Sequence, residues 1–150
     1  MLKEKAAALL AVERGTVFKA GGADVEIALA YPNTYHVGMS NLGVHQIYSI
    51  LNGRDDTACE RVFLPEEDDI AEYDRSGTKL FALESRRPVR DFDILAFSVS
   101  FEHDYLNVLE MLRLAGIAAD KKDRGPGDPL LLLGGICTFF NPEPLAELFD

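Results

Sequence analysis

Several features are absent from this 150-residue chain, and each absence removes a class of function. No apolar run approaches the about eighteen residues a membrane helix requires, so no span is expected. The opening, Met1 to Arg14, alternates charge with short apolar groups and does not build the apolar stretch of a secretory leader. A soluble, cytoplasmic protein beginning with an amphipathic helix is expected. Basic residues are scarce: 15 Lys and Arg face 25 Asp and Glu, for a formal net charge of -10. That balance repels a phosphate backbone and argues against nucleic acid as a partner. Only two cysteines occur, Cys59 and Cys137, far apart and without a Cys-x-x-Cys pair or clustered histidines. Neither a zinc site nor a disulfide framework is indicated, while buried free thiols and a single bridge both stay open.

Nucleotide and hydrolase signatures are absent too. The glycines after the first strand do not form Gly-x-Gly-x-x-Gly. Gly38-Met-Ser-Asn-Leu-Gly43 has the glycine spacing of a phosphate loop, but Val44-His45 stand where Lys and Ser or Thr are required. No serine sits in Gly-x-Ser-x-Gly, and Cys137 has no activating base near it in sequence. No catalytic residue and no metal ligand is assigned.

What remains is a chain 47% hydrophobic, long enough to bury one core. Val25 to Ala30 reads as a strand, with Val25, Ile27 and Leu29 on one face and the small Ala28 and Ala30 on the other. Thr16 to Lys19 precedes it across the glycine turn Ala20-Gly-Gly-Ala23, which predicts an antiparallel hairpin. Leu42 to Leu51 reads as a helix with Val44, Ile47, Tyr48 and Leu51 on one stripe, Ser40 or Asn41 as its cap, and Gly53 ending it in the left-handed conformation. Cys59 to Leu64 is a second strand, followed by a short helix whose first turn carries Glu66 to Asp69 and which Gly77 closes. Ile94 to Phe101 is a nearly continuous apolar run, as a strand covered on both faces requires. A helix from Tyr105 to Gly116 follows. Leu130 to Leu133 is a further strand running into Gly134-Gly135, and Asn141 to Phe149 is predicted to be helical.

These elements alternate, which predicts an open, mostly parallel, doubly wound α/β sheet of the flavodoxin or Rossmann type, with the hairpin at its amino-terminal end. Residues 1–24 then form a helix and hairpin strand, and residues 25–150 the α/β domain. A further strand is expected after the last helix, making the chain a fragment of a longer protein. In such folds ligands bind at the carboxyl ends of the strands. Tyr31 to Gly43 therefore becomes the first candidate loop, with Ser98, Ser100, Glu102 and His103 at the end of a second strand. Of the three histidines, His36 and His103 fall at this rim and His45 inside a helix.

Tyr31-Pro-Asn-Thr-Tyr-His-Val-Gly-Met-Ser-Asn-Leu-Gly43, the strand Phe92 to Ser98, and Leu133-Gly-Gly-Ile-Cys-Thr-Phe-Phe-Asn-Pro-Glu-Pro144, in this order, resemble the amino-terminal cobalamin-binding-type domain of radical S-adenosylmethionine (SAM) proteins. The resemblance covers Val25 to Asp150. It implies a catalytic barrel in the same polypeptide, downstream, whose Cys-x-x-x-Cys-x-x-Cys motif holds a [4Fe–4S] cluster and which uses S-adenosylmethionine; no such motif occurs here. It further implies a corrin against the loops after the first, third and fourth parallel strands. The cofactor contacts would be Asn33, Thr34, Tyr35, His36 and Gly38, then Ser98 and Ser100, then Gly134 and Gly135. Aligned on the Asp-x-His-x-x-Gly signature with Gly38 as its glycine, the chain has Asn33 at the aspartate and Tyr35 at the histidine that ligates cobalt. A phenol is a poor match for that imidazole. Two further readings share the fold: a scaffold or interaction domain that has lost the cofactor, and a binder of an unrelated small molecule.

Overall fold

The computed structural model describes residues 1–19 and 23–150. Four strands form one sheet: β1 (Val25–Tyr31), β2 (Thr57–Phe63), β3 (Ile94–Ser98) and β4 (Leu130–Gly134). Their order is β2-β1-β3-β4 and every pairing is parallel. The open parallel α/β fold is therefore as the alternation of elements predicts. The antiparallel hairpin is not: both edges of β1 are taken by parallel neighbours, and residues 16–19 carry no strand. Its turn, residues 20–22, lies outside the described residues.

The two faces of the sheet bury different residue sizes. Ala28 and Ala30, at 0% exposure, leave room on one face for helix α5 (Tyr105–Ala115). Val108, Met111 and Leu112 of α5 share a core there with Leu95, Phe97 and Leu131. On the other face Leu29, Tyr31 and Cys59 meet Val44 and Tyr48 of α3 (Leu42–Asn52), which follows the single-turn helix α2 (Tyr35–Gly38). Asn41 caps α3 by accepting from the Val44 N–H at 3.2 Å. Gly53 does not enter the left-handed region (φ -71°); its N–H reaches the Ser49 carbonyl at 2.9 Å and the helix runs out in a right-handed turn. Gly77, by contrast, ends α4 (Glu67–Ser76) at φ +68°.

The amino-terminal helix α1 (Leu2–Val12) buries only Ala6, with Lys5 paired to Asp69 of α4 and Lys3 over the Phe81 ring. The helix expected from Asn141 to Phe149 is also absent. A single turn, Cys137–Phe140, stops at Asn141, and a 3-10 turn spans Glu143–Leu145. Asn141 (φ -153°, ψ 68°) precedes Pro142 and is driven out of the helical region, which ends the Cys137–Phe140 turn; beyond it the backbone re-enters the helical region only for the short 3-10 turn. Cys59 and Cys137 are buried free thiols, and burial pushes the Cys59 thiol up to about 12.

Candidate functional site

In a 2-1-3-4 order the chain reverses direction of winding between β1 and β3, and the crevice lies beyond their carboxyl ends. Two side-chain bridges span it. Asn33, held in the loop after β1 by its own N–H to Tyr31 O (2.8 Å) and its carbonyl from the Leu64 N–H (3.0 Å), donates from Nδ2 to Asp104 Oδ1 at 3.0 Å. Asn41, besides capping α3, donates from Nδ2 to Ser100 Oγ at 3.1 Å. Asn107, one turn into α5, donates to the Pro32 carbonyl at 2.9 Å and to Asp104 Oδ1 at 3.3 Å. The loop after β1 is thereby tied to the segment after β3 by amides and one carboxyl group.

Asp104 stands out among these groups. It is 4% exposed, and its Oδ2 is buried with no hydrogen-bond partner among the described residues. Burial lifts its carboxyl above the ordinary carboxylate range despite the bonds from Asn33 and Asn107. A carboxyl raised in this way binds its proton more tightly folded than unfolded, so its contribution to stability falls as pH rises from the ordinary value through the raised one. Asp104→Asn is expected to flatten that segment of the stability–pH profile, read by urea unfolding at successive pH values. An unchanged profile would contradict the assignment.

Of the residues singled out in sequence, Asn33 takes part in one of these bridges and Ser100 in the other, and Thr34 N–H donates to Asn33 Oδ1 at 2.9 Å. Ser98 and Gly134 are direct partners in the β3–β4 register, at the carboxyl edge. Ser98 is 7% exposed, and a Cβ built on Gly134 would meet nothing closer than 3.8 Å, so space remains beside the serine. Gly135 and Gly38 are different. A Cβ on Gly135 would lie 2.3 Å from the Val99 carbonyl oxygen, and one on Gly38 would lie 2.4 Å from the Phe63 ring. Both glycines are required by close approach within the protein.

Tyr35 and His36 turn away from the crevice. Their rings meet edge to face and line an apolar groove of about 270 Å³ beneath α1, walled by Leu9, Phe63, Leu80 and Phe81. The Tyr35 hydroxyl donates to Glu13 Oε1 at 2.6 Å. Burial and that carboxylate push its pKa up to about 12, so the phenol stays protonated and committed to Glu13. His36 is exposed, and His45 is engaged with the Met39 carbonyl at 2.7 Å. Among the described residues no group of three or more His, Cys, Asp or Glu is arranged to hold a metal ion. Asp104 and Asn107 were missed in sequence. The available signal was an Asp at a helix start beside His103, a position that ordinarily reads as a cap, although here its side chain caps nothing.

The fold defines an open parallel α/β domain with a polar crevice at the carboxyl ends of its strands. The family model "Radical SAM proteins, N-terminal" matches residues 43–150, and the chain belongs to that family. An uncharacterized protein of Methanocaldococcus jannaschii is 24% identical over 124 residues, covering 83% of this chain. The match spans 22% of that relative's length. No solved structure gives a significant match. No described helix is long and apolar enough to cross a membrane.

Proposed function

We propose that this chain is the amino-terminal accessory domain of a cytoplasmic radical SAM enzyme and that it holds cobalamin at the crevice without a protein ligand on cobalt. The observation that carries the cofactor reading is the side-by-side placement of buried Ser98 and unobstructed Gly134 at the carboxyl edge, next to the β1–β3 switch point. Ser98, Ser100 and Gly134, with Asn33 and Thr34 opposite, would hold the amides and nucleotide tail of a corrinoid by hydrogen bonds and close backbone contact. The commitment of Tyr35 to Glu13 supports the second half of the proposal, since the position expected to ligate cobalt is occupied by a protonated phenol. When bound, the cofactor supplies a cobalt centre to a reaction whose iron–sulfur cluster and S-adenosylmethionine belong to a downstream barrel of the same polypeptide.

Titration with hydroxocobalamin and adenosylcobalamin tests this directly. A saturable visible change is expected, unaltered by His36→Ala and by Tyr35→Phe. No saturable change at high micromolar cofactor would leave the second reading, a scaffold domain of the same fold that has lost the cofactor. The filling of the Gly38 and Gly135 approaches by Phe63 and Val99 favours that alternative.

A further inference from the structure

Strand β4 lies at the edge of the sheet, yet it is apolar throughout, and one of its faces is bare. Register places Leu132 beside Ala96 and Ala96 beside Leu29, so all three share the face that α3 covers. Cover ends at β1 and β2. Leu132 is 40% exposed and Leu130 46%, whereas Leu131, on the α5 face, is 0% exposed. Ile136, Phe139 and Phe140, just beyond the strand, are also more than half exposed. Contiguous apolar exposure on an unblunted edge strand is a liability that proteins remove by covering or pairing it.

The backbone indicates what does so. Leu130 N–H donates to the Asp93 carbonyl and Gly134 O accepts from Val99 N–H, so even positions of β4 face β3 and odd positions face outward. At the outward position Leu131, the Asp150 N–H donates to the Leu131 carbonyl at 3.1 Å, and the Leu131 N–H donates to Asp150 Oδ2 at 2.9 Å. The first of these is a parallel-ladder bond on the free edge. The next rung, Leu133 N–H to the residue 150 carbonyl, lies directly ahead of it, and Leu133 has no strand neighbour on that side among the described residues.

We propose that the segment following Asp150 in the longer protein adds to β4 as a fifth parallel strand, order 2-1-3-4-5, and that the helix after it covers Leu130 and Leu132. The existence of that segment rests on the reading of this chain as the amino-terminal part of a radical SAM protein, in keeping with the 22% of its relative that the match spans. The Asp150 rung, the bare face and the apolar edge bear on the occupant independently of any cofactor.

The test uses the full-length protein, in which Leu132→Cys is compared with Leu106→Cys, a position 74% exposed on the outer side of α5. Native Cys59 and Cys137 are buried, and labelling is read at positions 132 and 106 by peptide mass spectrometry, so that cysteines elsewhere in the longer protein do not enter. The thiol introduced at position 132 is expected to react with maleimide about a hundredfold more slowly than the one at 106, because reaching it requires local opening. The Leu133 amide should be correspondingly slow to exchange with deuterium. A maleimide carrying a photoreactive group, attached through Leu132→Cys, irradiated and followed by mass spectrometry, should capture residues within about thirty positions after Asp150, the span of one strand and helix. Equal reactivity at 132 and 106, protection that appears only with rising protein concentration, or capture of a more distant segment would each overturn the proposal. A gene encoding nothing after Asp150 would instead remove the reading on which it rests.

Discussion

Replacing Arg61 by leucine is expected to destabilise the fold by about 3–5 kcal/mol, the usual consequence of stripping one partner from a buried charge network. The Arg61 side chain is 3% exposed and lies between two carboxylates, Glu84 (1%) and Glu13 (8%). Its Nε donates to Glu84 Oε1 and its guanidinium to Glu13 Oε2, each at 2.7 Å, while its plane lies 4.8 Å over the Tyr48 ring. Glu84 also accepts the Arg61 backbone N–H at 2.7 Å. The network ties α1, through Glu13, to β2 and to the segment that carries Glu84, with Tyr35 fastened on its edge. Removing the cation leaves two carboxylates buried against each other, and burial already lifts Glu84 above the carboxylate range with Arg61 present.

The sign with pH separates this cause from simple loss of packing. Without Arg61 both carboxyls are expected to have folded pKa values above their unfolded ones. They then bind protons on folding, and the deficit of Arg61→Leu should shrink as pH is lowered towards the carboxylate range and widen as it rises. Urea unfolding at acidic and neutral pH reads this, and thermal unfolding at neutral pH should show a fall in Tm of about 10 °C or more. The triple replacement Glu13→Gln, Arg61→Met, Glu84→Gln should recover most of the loss, because no charge is left buried. A pH-independent deficit equal in the single and triple variants would contradict the account.

Gly135→Ala is expected to cost about 3 kcal/mol and to disturb the crevice. Gly135 has φ +100°, a region that L side chains rarely adopt, and its built Cβ would meet the Val99 carbonyl oxygen at 2.3 Å and the Val99 nitrogen at 2.7 Å. Both neighbours are backbone, so no side chain can swing aside. The conformational strain alone is about 1–3 kcal/mol, and the contact adds to it. Relief requires the β4 end to move away from the segment after β3, which carries Ser100 and its bridge to Asn41. Gly127→Ala, at a loop position open to solvent, is the matched control and should lose a few tenths of a kcal/mol at most. Equal losses for the two would refute the packing argument.

The fold was legible where one local rule governs a segment. The nearly continuous apolar run from Ile94 and the alanine face of β1 announce strands covered on both sides, and the spacing of Val44 and Tyr48 announces α3. Failures came where local rules competed. Asn141 to Phe149 carries a good acidic helix start, yet it forms only a 3-10 turn at Glu143–Leu145, and the non-helical Asn141 before Pro142 ends the turn that precedes it. The glycine turn before β1 suggested a hairpin, but a hairpin needs a free strand edge, and β2 and β3 take both.

The sequence by itself determined the alternation of elements, hence a parallel α/β sheet and the loops at its carboxyl rim, because burial periodicity and turn chemistry act over a few residues. It also carried the signature that places the chain with radical SAM amino-terminal regions. Only the tertiary structure decided which rim residues act together. Tyr35 and His36 are consecutive with Thr34 in the chain, yet they turn to Glu13 and the groove under α1, while Asn33 and Asn41 reach Asp104 and Ser100 across 71 and 59 positions. Those contacts follow from the strand order β2-β1-β3-β4, and a strand order is set by the packing of whole faces against helices, which no local run of residues specifies.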